Sequence, residues 1–256
     1  MKADGLLPAI GIIPARWASA RLPGKVLADL GGKPLVQHVW EKARASHLSR
    51  VVIATDSPEV AQAASGFGAE VVMTAQHHPN GSARCMEAFE KLDGGEQFPL
   101  LINIQGDEPF LSPAAINSLM EFMARKPHAV IGTTYHTETL SPHTGSESVV
   151  KLVTDADDRV LYFSRAAIPH RRSDAGINPV YKIHTGIYAF RTAHLYQLKK
   201  LPESRLELIE CLEQLRWLYH GIPVYALETP AGSFSVDTSE DLERARKMYF
   251  HSPNTP

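Results

Sequence analysis

Apolar runs alternate with amphipathic stretches along the first half of the chain. The runs lie at 10–13, 50–56, 70–73, 99–104 and 130–134, and apolar residues at helical spacing separate most of them. Strands that are apolar on both faces are typical of a parallel sheet covered by helices. The pattern predicts an α/β fold with a doubly wound, mostly parallel sheet. In such sheets, ligands bind beyond the carboxyl ends of the strands.

The pattern changes after residue 140. Strands predicted at 149–153, 160–164 and 185–191 follow one another with turns and no helix between them. We therefore expect an antiparallel lobe at 140–190 within one domain that spans residues 1–256. Beyond the lobe the spacing predicts helices near 192–200 and 206–219, a strand at 223–227 and a last helix from Ser239.

Composition narrows the classes of protein. The 256 residues are 44% hydrophobic and 21% charged, with a formal net charge of -2, which argues against a general nucleic-acid binder. Two cysteines make no disulfide framework, and the chain has no HExxH motif. No apolar run approaches a membrane span, and the start does not resemble a signal peptide. We expect a cytoplasmic protein.

The stretch at 11–25 joins the first predicted strand to a loop that carries Arg16, Arg21 and Lys25. Small residues separate these cations, so backbone N–H groups can approach a ligand closely. Cations and accessible amides at a strand end suit a polyphosphate. A solvated basic loop explains the same residues equally well when the loop is considered alone.

Two carboxylates stand out as candidates for a magnesium site. Asp107 follows a buried strand and a glycine, and Asp237 ends an apolar stretch before the last helix. Together with phosphate oxygens, two such carboxylates make the hard, octahedral site that Mg²⁺ prefers. For each aspartate alone, a turn or helix cap is the commoner role.

Two further polar sets suggest ligand contacts. In the predicted polar loop at 73–84, amides near Gly81 and the hydroxyl of Ser82 can bond a pyrimidine edge, and Arg84 can reach carbonyl or phosphate oxygens. Asn-Gly stretches are more often simple turns.

In the second half, Arg165, His184, Glu210 and Gln214 suit an acidic polyol. Glu210 and Gln214 are four apart, which predicts one helix face, and a solvated face is the alternative.

Taken together, these stretches resemble the CMP-Kdo synthetases, the 3-deoxy-manno-octulosonate cytidylyltransferases, which are nucleotidyltransferases with a glycosyltransferase-A-like fold. The similar segments run in order along nearly the whole chain: IIPARWASARLPGK at 12–25, GGKPLVQHVWEKA at 31–43, VVIATD at 51–56, NIQGDEP at 103–109, VVKLVTD at 149–155, LYFSRAAIPH at 161–170, HTGIYAFR at 184–191, IECLEQLR at 209–216 and VDTSEDLERA at 236–245. The first and fourth are shared in part by CMP-sialic acid synthetases, whereas LYFSRAAIPH and LEQLR favour the Kdo branch.

The resemblance implies a Mg²⁺-dependent transfer of CMP from CTP to Kdo, with release of pyrophosphate, for lipopolysaccharide biosynthesis. It implies a homodimer built through the lobe. It also implies roles for individual residues: catalysis by Lys25, Arg16, Asp107 and Asp237; CTP binding by Arg16, Ser19, Arg21, Lys25, Met73, Thr74, Gly81, Ser82 and Arg84; sugar binding by Gln105, Arg165, His184, Glu210 and Gln214; and metal binding by Asp107 and Asp237.

The chain departs from the family pattern at three places. Ala83 stands where the family has a carboxylate, and Ser235 where a glycine is frequent. Ile183 precedes His184 where a Lys or Arg is usual, and Lys182 lies one step earlier. One step along a strand reverses the side chain, so either a bulge restores Lys182 to the pocket or the sugar contact is altered.

These departures keep two alternatives open. The first is a cytidylyltransferase for another ulosonic acid, such as 8-amino-Kdo or sialic acid. The second is a non-catalytic nucleotide-binding module, against which the presence of both Asp107 and Asp237 argues. A dehydrogenase is excluded because no GxGxxG follows the first strand.

Overall fold

The computed structural model describes residues 6–18, 21–172 and 178–251. Its strands are β1 Ala9–Pro14, β2 Asp29–Leu30, β3 Lys33–Pro34, β4 Arg50–Thr55, β5 Glu70–Met73, β6 Leu100–Asn103, β7 Ile131–Thr139, β8 Lys151–Thr154, β9 Val160–Ser164, β10 Val180–Arg191 and β11 Val224–Glu228. Its α-helices are α1 Leu35–Arg44, α2 Pro58–Gly66, α3 Gly81–Lys91, α4 Pro113–Arg125, α5 Pro142–Gly145, α6 Leu195–Lys199, α7 Arg205–Glu210, α8 Gln214–Tyr219 and α9 Ser239–His251. None of these helices is long and apolar enough to cross a bilayer.

The chain divides into two compact units. Unit 1 comprises Met1–Asn117 with Gly232–Pro256, and unit 2 comprises Ser118–Ala231. In unit 1, parallel strands lie in the order β6-β1-β4-β5. Nearly every residue of β1, β4 and β6 is buried, so both faces of these strands are covered. The predicted parallel α/β fold is confirmed.

A side-chain cap shifts the start of α3 away from the predicted position. The sequence predicts a polar loop to residue 84, but the helix begins at Gly81. The Asn80 side chain accepts a hydrogen bond of 2.9 Å from the Ala83 N–H and so caps the first turn. The loop prediction for residues 81–84 is wrong because Asn80, which forms a typical turn signal with Gly81, acts here as the helix cap.

Unit 2 has mixed strand pairing. Strands β7 and β11 are parallel, whereas β10 pairs antiparallel with both β7 and β8, and β8 pairs antiparallel with β9. Strand β10 begins at Val180, five residues before the predicted start at 185, because its first half pairs with the second half of β7. Of the polar candidates in the second half of the chain, His184 lies in β10, Arg165 directly follows β9, and Glu210 and Gln214 lie in α7 and α8.

One predicted helix is two helices in the structure. The sequence predicts a continuous helix at 206–219, but α7 ends at Glu210 and α8 begins at Gln214. Cys211 lies between them in the left-handed region, with φ of 51°. The prediction that Glu210 and Gln214 share one helix face is therefore wrong. A non-glycine residue in this conformation gives no warning in the sequence.

Candidate functional site

A cleft of about 130 Å³ opens in unit 1 at the carboxyl ends of β1 and β6. The amino end of α3 and the short 3-10 turn at Lys25–Leu27 form its other walls. Three cations line it together with polar groups and small residues: Pro14, Arg16, Lys25, Val26, His78, Asn80, Gly81, Arg84, Gln105, Gly106 and Asp107. Cations beside a capped helix amino terminus make an environment that favours anions.

The loop after β1 presents Lys25 to this cleft. Gly24 has φ of 67° and donates its N–H to the Trp17 carbonyl at 3.1 Å. The Lys25 N–H bonds to the Leu22 carbonyl at 3.1 Å, which closes the turn. Glycine suits position 24 because other residues rarely adopt a positive φ. Arg16 is exposed and lines the cleft. The predicted CTP contact Ser19 lies outside the described residues.

Lys25 joins the two candidate carboxylates. Its ammonium donates to Asp107 and, at 2.8 Å, to Oδ1 of Asp237. The guanidinium of Arg21 lies 3.0 Å from Oδ2 of Asp237 and is more than half exposed. The structure thus brings together Arg21, Lys25, Asp107 and Asp237, which the sequence separates widely.

The charges in this cluster shift one another's pKa values. Burial of Lys25 disfavours its charged form, but the carboxylates of Asp107 and Asp237 outweigh burial and raise its pKa above the ordinary value. Burial raises the pKa of Asp237. Its hydrogen bond and charge attraction to Lys25, together with the charge of Arg21, outweigh burial and lower that pKa below the ordinary value. The cluster thus sets two basic side chains, Arg21 and Lys25, against two carboxylates.

Main-chain contacts fix the two aspartates. The N–H of Val236 donates to the Asp107 carbonyl at 2.9 Å, and the Val236 side chain is fully buried beside Leu30 and Leu35. Before Asp107, a Cβ placed on Gly106 would lie 2.9 Å from the Pro14 carbonyl oxygen. Both carboxylates therefore project from short segments that are held against the core of unit 1.

Arg84 is bound on the floor of the cleft. Its guanidinium donates to Thr74 Oγ1 at 2.6 Å, to the Ala75 carbonyl at 3.2 Å and to Asp56 Oδ2 at 3.0 Å. Its side chain is only 3% exposed, so the pair with Asp56 is buried. Met73, by contrast, is exposed at the end of β5. The structure places Thr74 and Arg84 in one network, with Gly81 on the cleft wall.

Ser82 faces inward, in contrast to the polar loop that the sequence suggests for it. It is 2% exposed, and its hydroxyl accepts a hydrogen bond of 3.1 Å from the Asn103 side chain. Asn103 in turn accepts a bond of 3.3 Å from Gln105 Nε2. Gln105 lines the cleft. Ser82 thus supports Gln105 through Asn103.

The sequence reasoning missed His78 and Glu87. The His78 ring lines the cleft and bonds to the carboxylate of Glu87. Glu87 also accepts from the Ala75 N–H and pairs with Lys91 at 2.6 Å. Burial of Glu87 opposes its charge, but these bonds together lower its pKa to about 2. A histidine within a polar loop ahead of a helix that carries a glutamate was the available signal.

In unit 2, Arg165 and Glu210 form a compact network. The Glu210 carboxylate accepts from the Ser164 hydroxyl at 2.7 Å and from the Arg165 N–H at 2.8 Å. The Arg165 Nε donates back to the Glu210 carbonyl at 2.7 Å. The break at Cys211 turns the chain here, and Gln214 starts the next helix with a buried side chain.

His184 is held as a neutral ring. Its Nε2 lies 2.9 Å from Thr133 Oγ1, and the Thr133 hydroxyl donates to the Ile187 carbonyl at 2.7 Å. Because that hydroxyl has one hydrogen, we assign the Nε2–H tautomer, which leaves Nδ1 as an acceptor. Burial among Phe163 and Tyr188 lowers the His184 pKa to about 3.

Strand β10 resolves the question raised by Ile183. Its pairing with β7 is regular from Val180 to Thr185, and the register shift comes only after that residue. Ile183 is buried, and Lys182 donates to Thr154 at 2.6 Å with its ammonium 4.7 Å from the Tyr135 ring. No bulge moves Lys182 to the face of Ile183, so an apolar side chain lies where the resemblance implies a cation.

Known proteins match this chain over most of its length. A family model described as cytidylyltransferase matches residues 10–229. The 3-deoxy-manno-octulosonate cytidylyltransferase of Histophilus somni is 42% identical over 256 residues, which cover 94% of this chain and 98% of the relative. The enzyme of that name from Syntrophobacter fumaroxidans is 42% identical over 238 residues, with 91% and 94% covered.

Solved structures give the same result. A CMP:2-keto-3-deoxy-manno-octonic acid synthetase complexed with CTP superposes with a TM-score of 0.87 at 38% identity, and covers 94% of this chain and 98% of its own. A putative glucose-1-phosphate thymidylyltransferase from Bacillus anthracis has a TM-score of 0.66 at 16% identity, with 97% and 98% covered. The second likeness concerns the fold alone.

Proposed function

Because the chain belongs to the 3-deoxy-manno-octulosonate cytidylyltransferase family, we propose that it transfers CMP from CTP to Kdo and releases pyrophosphate, a step in lipopolysaccharide biosynthesis. The observation that carries the proposal is the cluster in unit 1. There, Lys25 lies between Asp107 and Asp237 at the edge of a cationic cleft. A triphosphate needs such cations, and phosphoryl transfer needs charge stabilisation more than a nucleophilic side chain.

The donor set supports a divalent metal ion, which we propose is Mg²⁺. The two carboxylates already share one cation, the Lys25 ammonium, so they suit a hard positive ion. Within the described ranges no group of three or more His, Cys, Asp or Glu is arranged to hold a metal. Asp107 and Asp237 would hold the ion together with phosphate oxygens, and the ion would supply Lewis-acid polarisation of the α-phosphate.

The residues of the cleft account for the rest of the chemistry. Arg16 and Lys25 bind the triphosphate and stabilise the charge that develops on pyrophosphate as it leaves. A sugar hydroxyl attacks the α-phosphorus; the new P–O bond forms as the bond to the β-phosphate oxygen breaks. The hydroxyl proton passes to solvent. Arg84, oriented by Asp56, offers donors to the base or phosphates.

We propose that Arg165, His184 and Glu210 of unit 2 bind the sugar. Arg165 suits the carboxylate of the sugar, and Nδ1 of neutral His184 suits a sugar hydroxyl. Because Ile183 replaces a cation of the family, the alternative substrate is another ulosonic acid, such as 8-amino-Kdo or sialic acid. An amino group in place of a hydroxyl would favour an environment with one fewer cation.

We further propose a cytoplasmic homodimer that associates through unit 2. Its strands and helices expose large apolar side chains, among them Leu161 in β9 and Leu208 and Ile209 in α7. Exposed apolar clusters of this kind often mark interfaces between subunits. Light scattering of the wild-type chain and of Ile209→Glu tests this: a wild-type monomer would contradict the dimer.

The decisive experiment measures pyrophosphate release with CTP, Mg²⁺ and one sugar at a time: Kdo, 8-amino-Kdo and sialic acid. We expect turnover with Kdo, which stops when the metal is chelated. Turnover with only one of the other sugars would reassign the substrate. No turnover with any sugar, together with normal CTP binding, would favour a non-catalytic nucleotide-binding module.

A further inference from the structure

Lys151 in β8 is fully buried without a carboxylate partner. Its side chain is 0% exposed, and its ammonium donates to the carbonyls of Ser146 at 2.9 Å, Val149 at 2.6 Å and Arg165. In the part of the chain that the structure describes, it forms no ion pair with Asp or Glu. A buried charge without a counterion is costly, and an apolar side chain would fill the same space at a lower cost.

The three carbonyls come from two segments that Lys151 ties together. Ser146 and Val149 belong to the turn before β8, and Arg165 follows β9. The Arg165 guanidinium bonds to the same turn, because Nη1 donates to the Glu147 carbonyl at 2.9 Å. Lys151 therefore holds the main chain of Arg165 on one side, while Glu210 accepts its N–H on the other.

The Arg165 guanidinium keeps capacity for a ligand. It donates to the carbonyls of Glu147, Glu210 and Cys211, at 2.9, 2.7 and 3.3 Å. An arginine has five N–H donors, so two remain among the described contacts. Two donors of one guanidinium are the geometry that binds a carboxylate in a bidentate way.

The local charge also favours an anion. Lys151 and Arg165 are two cations on adjoining segments, and among the residues that the structure describes Glu210 is the one carboxylate bonded within their network. Burial lowers the pKa of Lys151, and the nearby charge of Arg165 lowers it further, while Glu210 and Glu147 act in the opposite direction. Binding of an anion beside this pair would relieve that repulsion.

We propose that Lys151 is a positioning residue for the acid sugar: it fixes the backbone of Arg165 so that the two remaining guanidinium donors meet the sugar carboxylate. This inference rests on the proposed function. Lys151 acts through Arg165 and adds positive charge to the sugar site, and it has no part in binding the nucleotide.

The test compares Lys151→Met with wild type in steady-state kinetics. We expect KM for Kdo to rise about 10- to 100-fold, the effect of misplacing a charged hydrogen-bond partner, with KM for CTP unchanged. Lys151→Arg, which keeps the charge and donors, should recover part of the loss. Lys126→Met is the matched control, because Lys126 also donates to a carbonyl, that of Asp157 at 2.6 Å, but contacts a different loop.

Several outcomes would overturn the inference. Equal effects on KM for CTP and KM for Kdo would show that Lys151 serves the stability of the protein, as would loss of folding in both Lys151 variants. No change in either KM would show that Lys151 does not position Arg165. Titration of wild type with Kdo, followed by tryptophan fluorescence, separates this inference from the proposed function. Kdo binding that weakens in Lys151→Met without any wild-type turnover would contradict the function and support the inference. Normal wild-type turnover with an unchanged KM for Kdo in Lys151→Met would support the proposed function and contradict the inference.

Discussion

Lys25 and Asp237 are 212 positions apart in the sequence, yet the Lys25 ammonium donates a hydrogen bond of 2.8 Å to Asp237 Oδ1. Asp107 accepts from the same ammonium. Three strand-end and helix-start segments thus converge on one charge cluster. In the proposed reaction, Asp107 and Asp237 would hold the metal ion, which would leave the Lys25 ammonium available to bind phosphate.

Neutralising either carboxylate should abolish most of the activity. We expect Asp107→Asn and Asp237→Asn to lower kcat by on the order of 10²–10³-fold or more, because each removes a charge that the proposed metal needs. Pyrophosphate release measures the effect, and thermal unfolding shows whether the fold is intact. Asp93→Asn, at an exposed aspartate, is the matched control. Near-normal turnover by either variant would exclude the two-carboxylate site.

Gly106 should tolerate no side chain. A Cβ there would lie 2.9 Å from the Pro14 carbonyl, so Gly106→Ala must shift the backbone that carries Asp107. We expect a loss of about 1–3 kcal/mol in the free energy of unfolding and weaker CTP binding. Gly66→Ala is the control, because a Cβ at Gly66 meets nothing within 4 Å in helix α2. That variant should be neutral or slightly more stable. Equal stability of both variants would contradict the close approach.

His184 should make stability depend on pH below neutrality. Its pKa of about 3 in the folded protein lies far below the ordinary value of 6.5, so only the unfolded chain takes up a proton between these values. Its contribution is complete above pH 6.5 and is lost as pH falls towards 3. From pH 7 to pH 5 we expect a loss of about 1–2 kcal/mol, measured by urea unfolding.

Substituting His184 isolates its contribution to the pH dependence of the free energy of unfolding. His184→Gln should remove that part of the pH dependence, whereas His47→Gln, at an exposed histidine, should leave it unchanged. Identical pH profiles of the wild-type protein and the His184→Gln variant would show that the ring has the same pKa in the folded and the unfolded chain.

Glu87 should make the stability of the protein depend on pH in a more acidic range than His184 does. Its pKa of about 2, against an ordinary 4.5, means that its stabilisation is complete above pH 4.5 and is lost as pH falls towards 2. Glu87→Gln should therefore cost on the order of 2 kcal/mol at pH 7, and its difference from wild type should narrow at pH 3. Glu96→Gln, at an exposed glutamate, serves as control. A difference that stays constant with pH would mean that the ion pairs to Glu87 contribute nothing.

The parts of the fold that burial dictates were predictable. The predicted strands at 70–73 and 160–164 match the structure, the predicted strand at 50–56 covers Arg50–Thr55, and the last helix begins at Ser239 as predicted. Elements set by a single local contact were not. The Asn80 cap moves the start of α3, and the positive φ of Cys211 divides a helix that periodicity makes continuous. Neither contact changes the hydrophobic pattern.

The site residues likewise divide into those that the sequence pattern could reveal and those that it could not. Polar groups at strand ends, such as Asp107, could be found because topology gathers strand ends together. The inward turn of Ser82, the link from Glu87 to His78 and the carbonyl partners of Lys151 depend on side-chain direction over long sequence separations. One-dimensional spacing carries no information about these contacts. The functional roles given to the residues remain predictions for the experiments above.

Unit 1 is discontinuous, since Gly232–Pro256 returns to it after the whole of unit 2. That last segment brings Asp237 and the Val236 N–H that bonds to the Asp107 carbonyl. During synthesis, the segment that carries Asp237 therefore emerges only after the whole of unit 2, and the charge cluster cannot assemble before unit 2 has been made. Every truncated product that stops before this segment lacks half of the carboxylate pair.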